Sequence, residues 1–178
     1  AVCRPFGRCE LRELYQVRRI LEVEATRAAC GNISDTKLLD VRQALLALRG
    51  ESPENESARW SARAQAVDLL LHQMIHDACG SDRLRHEIDR YAEVMRSFRQ
   101  AAGNKRNVQI QAIGEHLAII DALLAGDVDR AAARMADHIN STAAGVERVV
   151  FGEQNVSKPS KQSSTQTPNQ TPTLEMPR

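Results

Sequence analysis

Three histidines and one aspartate have the residue types and the spacing that a shared metal ion requires. Asp68 and His72 are four residues apart in VDLLLHQMIH, so on a helix both lie on one face. His116 lies in GEHLAIIDALLAGD and His138 in AAARMADHIN, each beside the apolar positions of a helical pattern. Three imidazoles and one carboxylate suit zinc, nickel, iron or manganese. The pattern therefore predicts one divalent metal ion inside a helical protein, with coordination positions left for water or a small carboxylate.

Other interpretations of these histidines stay open at this point. Each could be an ordinary core histidine with a hydrogen-bond partner of its own. His76 also lies four residues from His72, so the two form an equally good pair by spacing. His86 stands among charged residues and is expected in solvent.

Arg18 is a candidate for binding an anion. It stands between Val17 and Leu21 in the first helical segment, close to the apolar stripe. A buried arginine needs an anionic partner, and the guanidinium fork matches a carboxylate. The alternative is a surface arginine paired with Glu22 or Glu24.

The elements that must position these residues are helices. Apolar residues recur at helical spacing from Glu10 to Phe151, and no segment alternates as a half-buried strand does. Glycines end successive segments, and each new segment opens on a residue that favours a helix N-cap. The expected stops are Gly31, Gly50, Gly80 and Gly126, and the expected caps are Ser34, Ser81 and Asp127. On the first helix the expected inward face comprises Leu11, Leu14, Val17, Leu21, Ala25 and Ala28.

Composition limits the class of protein. The chain has 178 residues, 42% of them hydrophobic but only 3% aromatic, which favours one domain of packed helices. A net charge of +1 gives no support for binding nucleic acid or a membrane surface through charge alone. No apolar run is long enough for a membrane span, and residues 1–10 lack the apolar centre of a signal peptide. We therefore expect a cytoplasmic protein without membrane contact, whose four cysteines are reduced.

The chain divides into three parts. Residues 10–151 form the expected helical domain, and residues 1–9 precede it. Residues 152–178 are rich in Ser, Thr, Gln and Pro and almost free of large apolar residues, so this tail is expected to be disordered.

Several motifs resemble the effector-binding (FCD) domain of FadR-type regulators in the GntR family. The family's first helix carries R-x-x-L-E, which the chain offers around Arg18, Arg19 and Glu22. A D-x-x-x-H motif follows at Asp68 and His72, then E-H-x-x-I from Glu115, and finally A-x-x-x-M-x-x-H-I from Ala131 to Ile139. The motifs occur in the family's order between about Glu10 and Phe151.

The resemblance implies an antiparallel bundle of roughly six to seven helices around a central metal and ligand cavity. It assigns the metal to Asp68, His72, His116 and His138, and leaves His76 without a counterpart. It also implies that Arg18, or else Arg19, binds a small carboxylate effector, and that the domain is a homodimer. DNA is contacted in this family by a winged helix-turn-helix domain. Because that domain is not part of these 178 residues, residues 1–9 are expected to be a linker remnant, and the chain an isolated sensor domain.

Two other functions compete with a ligand sensor. A metal-dependent enzyme acting on small organic acids needs a general base near the metal, and Glu115 points about 100° away from its neighbour His116 on a helix. The Glu-x-x-His pairs of a di-iron bundle are missing from the sequence. The third possibility is a metal-free helical interaction module. We expect a regulator domain and not an enzyme.

Overall fold

The computed structural model describes residues 7–51, 58–101 and 106–152, with the side chains of 94–101 and 106 left out. Within these residues the chain forms six α-helices and no strand, which confirms the all-α prediction. The helices are α1 (Arg8–Ala29), α2 (Asp35–Gly50), α3 (Ala58–Ala78), α4 (Asp82–Ala101), α5 (Arg106–Leu124) and α6 (Val128–Phe151). Most of the expected linker remnant and nearly all of the expected tail lie outside the described residues.

Ion pairs join α1 to α6 at both ends. Near the start of α1, Arg8 and Arg12 contact Glu147 close to the end of α6, with N–O distances of 3.1 and 2.6 Å. Near the end of α1, Arg27 lies 2.6 Å from Asp129 in the first turn of α6. The two helices are therefore antiparallel and in contact along most of their length.

A tight turn makes an antiparallel hairpin of α5 and α6. The amides of Gly126 and Asp127 donate to the carbonyls of Leu123 and Ala122, both at 3.0 Å, as in a Schellman motif. Gly126 has φ of +66°, a conformation that glycine adopts without steric cost. Asp127 then caps α6 by accepting the amide proton of Arg130 at 3.0 Å. This confirms the sequence prediction that Gly126-Asp127 ends one helix and begins the next.

Helix α3 lies beside α5 and runs in the same direction. Ser61 pairs with Gln109 near the start of both helices, and Asp68 pairs with His116 further along both. The antiparallel order therefore describes the α1–α6 and α5–α6 pairs, whereas α3 and α5 are parallel neighbours. Helix α2 packs against α3 and α5, and α4 packs against α1, α3 and α6.

The apolar core lies around α5, where Ile119, Ile120 and Ala122 are fully buried. Residues from the expected face of α2 complete one side of it: Leu38, Val41, Leu45 and Leu48. Trp60, which the sequence analysis did not place, is buried and donates its indole N–H to the carbonyl of Leu48 at 3.1 Å. None of the described helices has both the length and the apolar character needed to cross a membrane.

The expected inward face of α1 was right at Leu11 and Ala25, which are buried, but between them it was wrong by about one position. The buried residues include Tyr15, Arg18 and Glu22, whereas Leu14 and Leu21 are only half-buried beside the core. Polar residues thus occupy the centre of this face, because it meets other polar side chains there. Ser34 precedes α2 as expected, but its side chain makes no capping hydrogen bond, whereas the Ser81 hydroxyl does accept the amide proton of Leu84.

Candidate metal centre between α3, α5 and α6

Four predicted site residues meet between three helices. Asp68 and His72 come from α3, His116 from α5 and His138 from α6, and we call these four the Asp–His cluster. One potential ligand atom from each lies within 4.8 Å of all the others. The Nε2 atom of His116 is 3.2 Å from Asp68 Oδ1 and 3.2 Å from His138 Nε2. The three imidazoles are buried, and Asp68 is partly exposed at one side.

Local structure explains why these residues meet. The i,i+4 spacing puts Asp68 and His72 on one face of α3, as expected. The α5–α6 hairpin brings His116 opposite His138, and the parallel packing of α3 on α5 sets Asp68 against His116. Each ligand atom is therefore held by a packed helix, which gives a metal site the rigidity that a loop does not.

Carboxylates behind two of the histidines set their orientation. Glu22 Oε2 is 3.1 Å from His72 Nδ1, and Glu115 Oε2 is 2.8 Å from His138 Nδ1. A carboxylate only accepts hydrogen bonds, so each Nδ1 carries the proton and each Nε2 keeps its lone pair. Metal-binding histidines in proteins commonly donate their other ring N–H in this way.

One buried atom shows that the cluster fits a cation. His72 Nε2 is buried and has no hydrogen-bond partner among the described residues. The Oδ1 atom of Asp68, on the same helix, is 4.0 Å away, beyond hydrogen-bond length. An unpartnered buried lone pair costs free energy, and a cation between His72, Asp68, His116 and His138 would remove that cost.

The electrostatics keep the imidazoles neutral, which is the form that binds a metal. Burial, together with the smaller effect of the neighbouring His138, lowers the pKa of His116 to about 4. Burial is also the main cause that lowers the pKa of His72 and of His138. At pH 7 all three rings are therefore neutral, and His72 and His138 offer their Nε2 lone pairs without first losing a proton. His116 Nε2 faces Asp68 Oδ1 and the lone pair of His138, so it carries its ring proton and would give it up on binding an ion.

Glu22 contacts the cluster residue His72, and the sequence analysis did not assign it to the site. Burial acts to raise its pKa, but its interactions with His72, with the Arg18 guanidinium and, through a hydrogen bond, with His76 together outweigh burial. The pKa of Glu22 therefore lies well below its ordinary value, and the buried side chain is a carboxylate. The available signal was the R-x-x-L-E pattern itself, which ends on Glu22 and places it one helical turn after Arg18.

Glu115 was considered only as a possible base and lies instead behind His138. Its Oε2 contacts His138 Nδ1, and its Oε1 accepts a hydrogen bond from Gln111 at 3.0 Å. The hydrogen bond from His138 helps to lower its pKa against the opposing effect of burial. Its place next to His116 in the sequence gave no indication that it would serve the other histidine.

Arg18 is buried beside the cluster, whereas Arg19 is not part of the same space. The Nε atom of Arg18 is 3.2 Å from Glu22 Oε1, and its Nη1 has no hydrogen-bond partner among the described residues. Arg18 lines a cavity of about 40 Å³ together with residues of α1, α3 and α4. The others are Glu22, Asp68, Leu69, His72, Gln73, His76, Asp89 and Ala92. Arg19 is half-buried one position further round α1 and does not line this cavity.

The cavity is smaller than the predicted ligand cavity. A volume of about 40 Å³ accommodates a water molecule or an ion, but small-molecule sites usually have several hundred Å³. A larger concavity, of about 560 Å³, lies at the surface between the start of α1 and the end of α6. Two of the arginines that line it, Arg8 and Arg12, are already paired with Glu147, and none of the Asp–His cluster lines it.

The remaining two histidines are not members of the Asp–His cluster. His76 is buried, and its Nε2 is 2.8 Å from Glu22 Oε2. It therefore belongs to a neighbouring group with Glu22 and His72, all within 4.8 Å of one another. His86 is exposed, and its Nδ1 lies 2.6 Å from the carbonyl oxygen of Asp82 in the same helix.

Comparison with known proteins identifies the family. The family model described as the FCD domain matches residues 13–141, which run from α1 into α6 and include the whole Asp–His cluster. No curated protein matches the chain. Because the matched segment covers well over half of the sequence, the chain belongs to the FCD domain family, the ligand-binding C-terminal domain of FadR-type GntR transcription regulators.

Proposed function

We propose that this domain senses a small organic acid at a divalent metal ion held by the Asp–His cluster. The observation that carries the proposal is the buried Nε2 of His72, which has no hydrogen-bond partner among the described residues and faces the other ligand atoms of the cluster. Asp68, His72, His116 and His138 supply one oxygen and three nitrogens, a donor set suited to zinc, nickel, manganese or iron. A bound cation of this kind would offer coordination positions that a carboxylate oxygen can take.

Arg18 is the residue that we propose for the effector's charge. Its guanidinium has one Nε–H on Glu22, and the buried Nη1, which contacts no acceptor among the described residues, can bind an anionic group. Arg18 and the cluster residues Asp68 and His72 line the same cavity, so one carboxylate could contact both the guanidinium and the ion. Arg19 does not meet this condition, and the proposal therefore rests on Arg18.

The small cavity implies that effector binding changes the structure. A dicarboxylate or hydroxy acid does not fit in about 40 Å³, so the cavity walls must move to admit it. Helix α4 contributes Asp89 and Ala92 to the wall and packs against α1, α3 and α6. We propose that α4 moves outward when the effector binds, and that this movement is the signal passed to the rest of a regulator.

We propose further that the domain acts in the cytoplasm as a homodimer and that DNA is contacted by a winged helix-turn-helix domain. The chain's net charge of +1 offers little attraction for phosphates. No contact among the described residues of the site favours an enzymatic function. Glu115, the nearest candidate base, is engaged behind His138 and does not face the ligand atoms.

Metal analysis of untagged protein tests the central claim. We expect one zinc, nickel, manganese or iron per chain in the wild type, and a large loss in His116→Ala and His138→Ala. His86→Ala is the matched control, because His86 is exposed and distant from the cluster. A wild type that takes up no metal, or a His138→Ala variant that binds as the wild type does, would refute the assignment.

A further inference from the structure

Glu22 joins two helices through one buried carboxylate. Its Oε1 accepts a hydrogen bond from Arg18 Nε at 3.2 Å. Its Oε2 faces two imidazoles of α3, with His72 Nδ1 at 3.1 Å and His76 Nε2 at 2.8 Å. The side chain is only 2% exposed, so water does not compete for these contacts.

The chemistry of this arrangement fixes where the protons are. An ionised carboxylate has no proton to donate, so both imidazole nitrogens that face Glu22 must carry one. His72 is thereby held in the tautomer with a proton on Nδ1 and a lone pair on Nε2. That Nε2 is the buried atom that faces the Asp–His cluster and has no hydrogen-bond partner in the part of the chain that the structure describes.

We propose that Glu22 and His76 are positioning residues for His72: Glu22 sets its tautomer and ring orientation, and His76 holds Glu22 in place. This inference rests on the proposed function only where it concerns metal affinity. The tautomer and ring orientation of His72 are set without a metal. Neither residue belongs to the Asp–His cluster. By sequence spacing, His76 formed an equally good pair with His72 for binding a metal. Holding Glu22 in place explains why His76 is buried.

A second cation site is the competing explanation for the same three residues. Glu22, His72 and His76 offer ligand atoms within 4.8 Å of one another. A cation there would lie close to the Arg18 guanidinium, whose Nε is 3.2 Å from the same carboxylate, and like charges repel in a buried site. His72 would also have to give up its Nδ1 proton while its Nε2 faces the first cluster. Both arguments favour positioning over a second ion.

The tautomer can be measured without any metal. Long-range proton–nitrogen NMR correlation on the chelator-treated chain, labelled with ¹⁵N-histidine, distinguishes a protonated from an unprotonated ring nitrogen. We expect His72 to have protonated Nδ1 and unprotonated Nε2. A spectrum with His72 protonated on Nε2 instead would overturn the proposal, whatever the metal content of the protein.

Glu22→Gln is the sharpest variant because an amide has one accepting oxygen where a carboxylate has two. If that oxygen faces Arg18, the amide NH₂ faces His72 and forces the proton onto Nε2. If it faces the imidazoles, the NH₂ meets the Arg18 N–H. We therefore expect more of the Nε2–H tautomer and a zinc affinity lower by about 10- to 100-fold. Glu24→Gln, an exposed change on the same helix, should alter neither quantity.

His76→Leu tests the second half of the proposal and the competing explanation together. We expect one zinc per chain in both wild type and variant, with a smaller loss of affinity than in Glu22→Gln. Two zinc ions in the wild type, reduced to one in His76→Leu, would overturn the positioning role. Unchanged tautomer and affinity in a folded Glu22→Gln protein would do so as well. A wild type that binds none of zinc, nickel, manganese and iron would refute the proposed function, while the tautomer spectrum would still decide the role of Glu22.

Discussion

Arg18 illustrates how a single residue can be assigned by its surroundings when its neighbour in the sequence has the same chemistry. Arg18 and Arg19 carry the same group, but of the two only Arg18 is buried beside the cluster, and its Nη1 has no hydrogen-bond partner within residues 7–51, 58–93 and 107–152. Side chains at adjacent helical positions point about 100° apart, so one cannot replace the other.

This difference predicts different effects of the same substitution. Arg18→Lys should weaken effector binding by about tenfold or more, because the ammonium keeps the charge but loses the planar fork. Arg19→Lys is the matched control and should bind as the wild type does. Calorimetric titration of the metal-loaded protein with a panel of dicarboxylates and hydroxy acids measures both. Equal affinities in the wild type and the two variants would exclude the role of Arg18.

Burial of the histidines also predicts how stability depends on pH. The pKa of His116 is about 4 in the folded chain, against an ordinary value of 6.5 in the unfolded chain. Between these values the unfolded chain binds the proton and the folded chain does not, so stability is present above pH 6.5 and is lost as pH falls towards 4. The lowered pKa values of His72 and His138 act in the same direction.

Urea unfolding of chelator-treated protein at pH 7, 6 and 5 measures this dependence. We expect the free energy of unfolding to fall at each step, and to fall less steeply in His116→Gln. His86→Gln should keep the wild-type slope, because His86 is exposed. A wild type as stable at pH 5 as at pH 7 would contradict the prediction.

The sequence could identify the four cluster residues but not the carboxylates that orient them. Asp68 and His72 share a helix face by spacing alone, and His116 and His138 have apolar neighbours that mark the inner side of a helix. Glu22 meets His72 from 50 residues away, and such a contact depends on how α1 packs against α3, which spacing does not reveal. The usual rule that charged residues face solvent also argued against placing Glu22 inside.

At the scale of the helices, apolar periodicity predicted the positions of the helices more accurately than the side of each helix that faces the core. The expected face of α2 was confirmed because its buried residues are all apolar. On α1 the apolar rule selected Leu14 and Leu21, whereas the inner face carries Arg18 and Glu22. A helix that contributes to a polar site breaks the pattern from which its orientation is inferred.

The turn between α5 and α6 is the element on which the meeting of His116 and His138 depends. Gly126 has φ of +66°, and a Cβ there would meet no atom within 4 Å, so only backbone strain opposes a side chain. Gly126→Ala should therefore lower the free energy of unfolding by about 1–2 kcal/mol. Gly145→Ala is the matched control, since this residue lies within α6 with equally open surroundings. It should stabilise by about 0.5–1 kcal/mol, because alanine favours a helix.

Chemical denaturation of the two variants separates backbone strain from loss of space. If Gly126→Ala were as stable as the wild type, the positive φ at the turn would not be required. A Gly145→Ala variant that is strongly destabilised would mean that α6 tolerates no added side chain on that face.

At the scale of the whole molecule, the four cluster residues come from three helices, α3, α5 and α6. A metal ion bound to them would link these helices, which are otherwise held together by packing. Metal binding to the native state but not to the unfolded chain stabilises the fold by about 2.7 kcal/mol at a free metal concentration of 100 Kd. For a domain of this size that corresponds to a rise in Tm of roughly 5–10 °C. Thermal melts with and without chelator measure it, and His138→Ala should melt alike under both conditions. A wild-type Tm that does not respond to chelator would contradict a metal bound by the native fold.

The distribution of charge over the molecule leads to the last prediction, which concerns DNA. Many arginines of the described surface are paired with carboxylates, among them Arg27 with Asp129, Arg42 with Asp121 and Arg63 with Glu51. Paired arginines and a net charge of +1 leave little positive potential to attract phosphates. We therefore expect these 178 residues, alone, to form no sequence-selective complex with the promoter region of their own gene.

A salt-dependent mobility-shift titration tests this, with a random duplex of the same length as the control. At most, we expect weak binding that is equal for both duplexes and disappears as salt rises. Such binding would reflect phosphate contact only. Tight binding that prefers the promoter duplex at physiological salt would contradict the prediction. It would require a DNA-reading surface on the helical domain itself, and the effector would then act directly on that surface instead of through a winged helix-turn-helix domain.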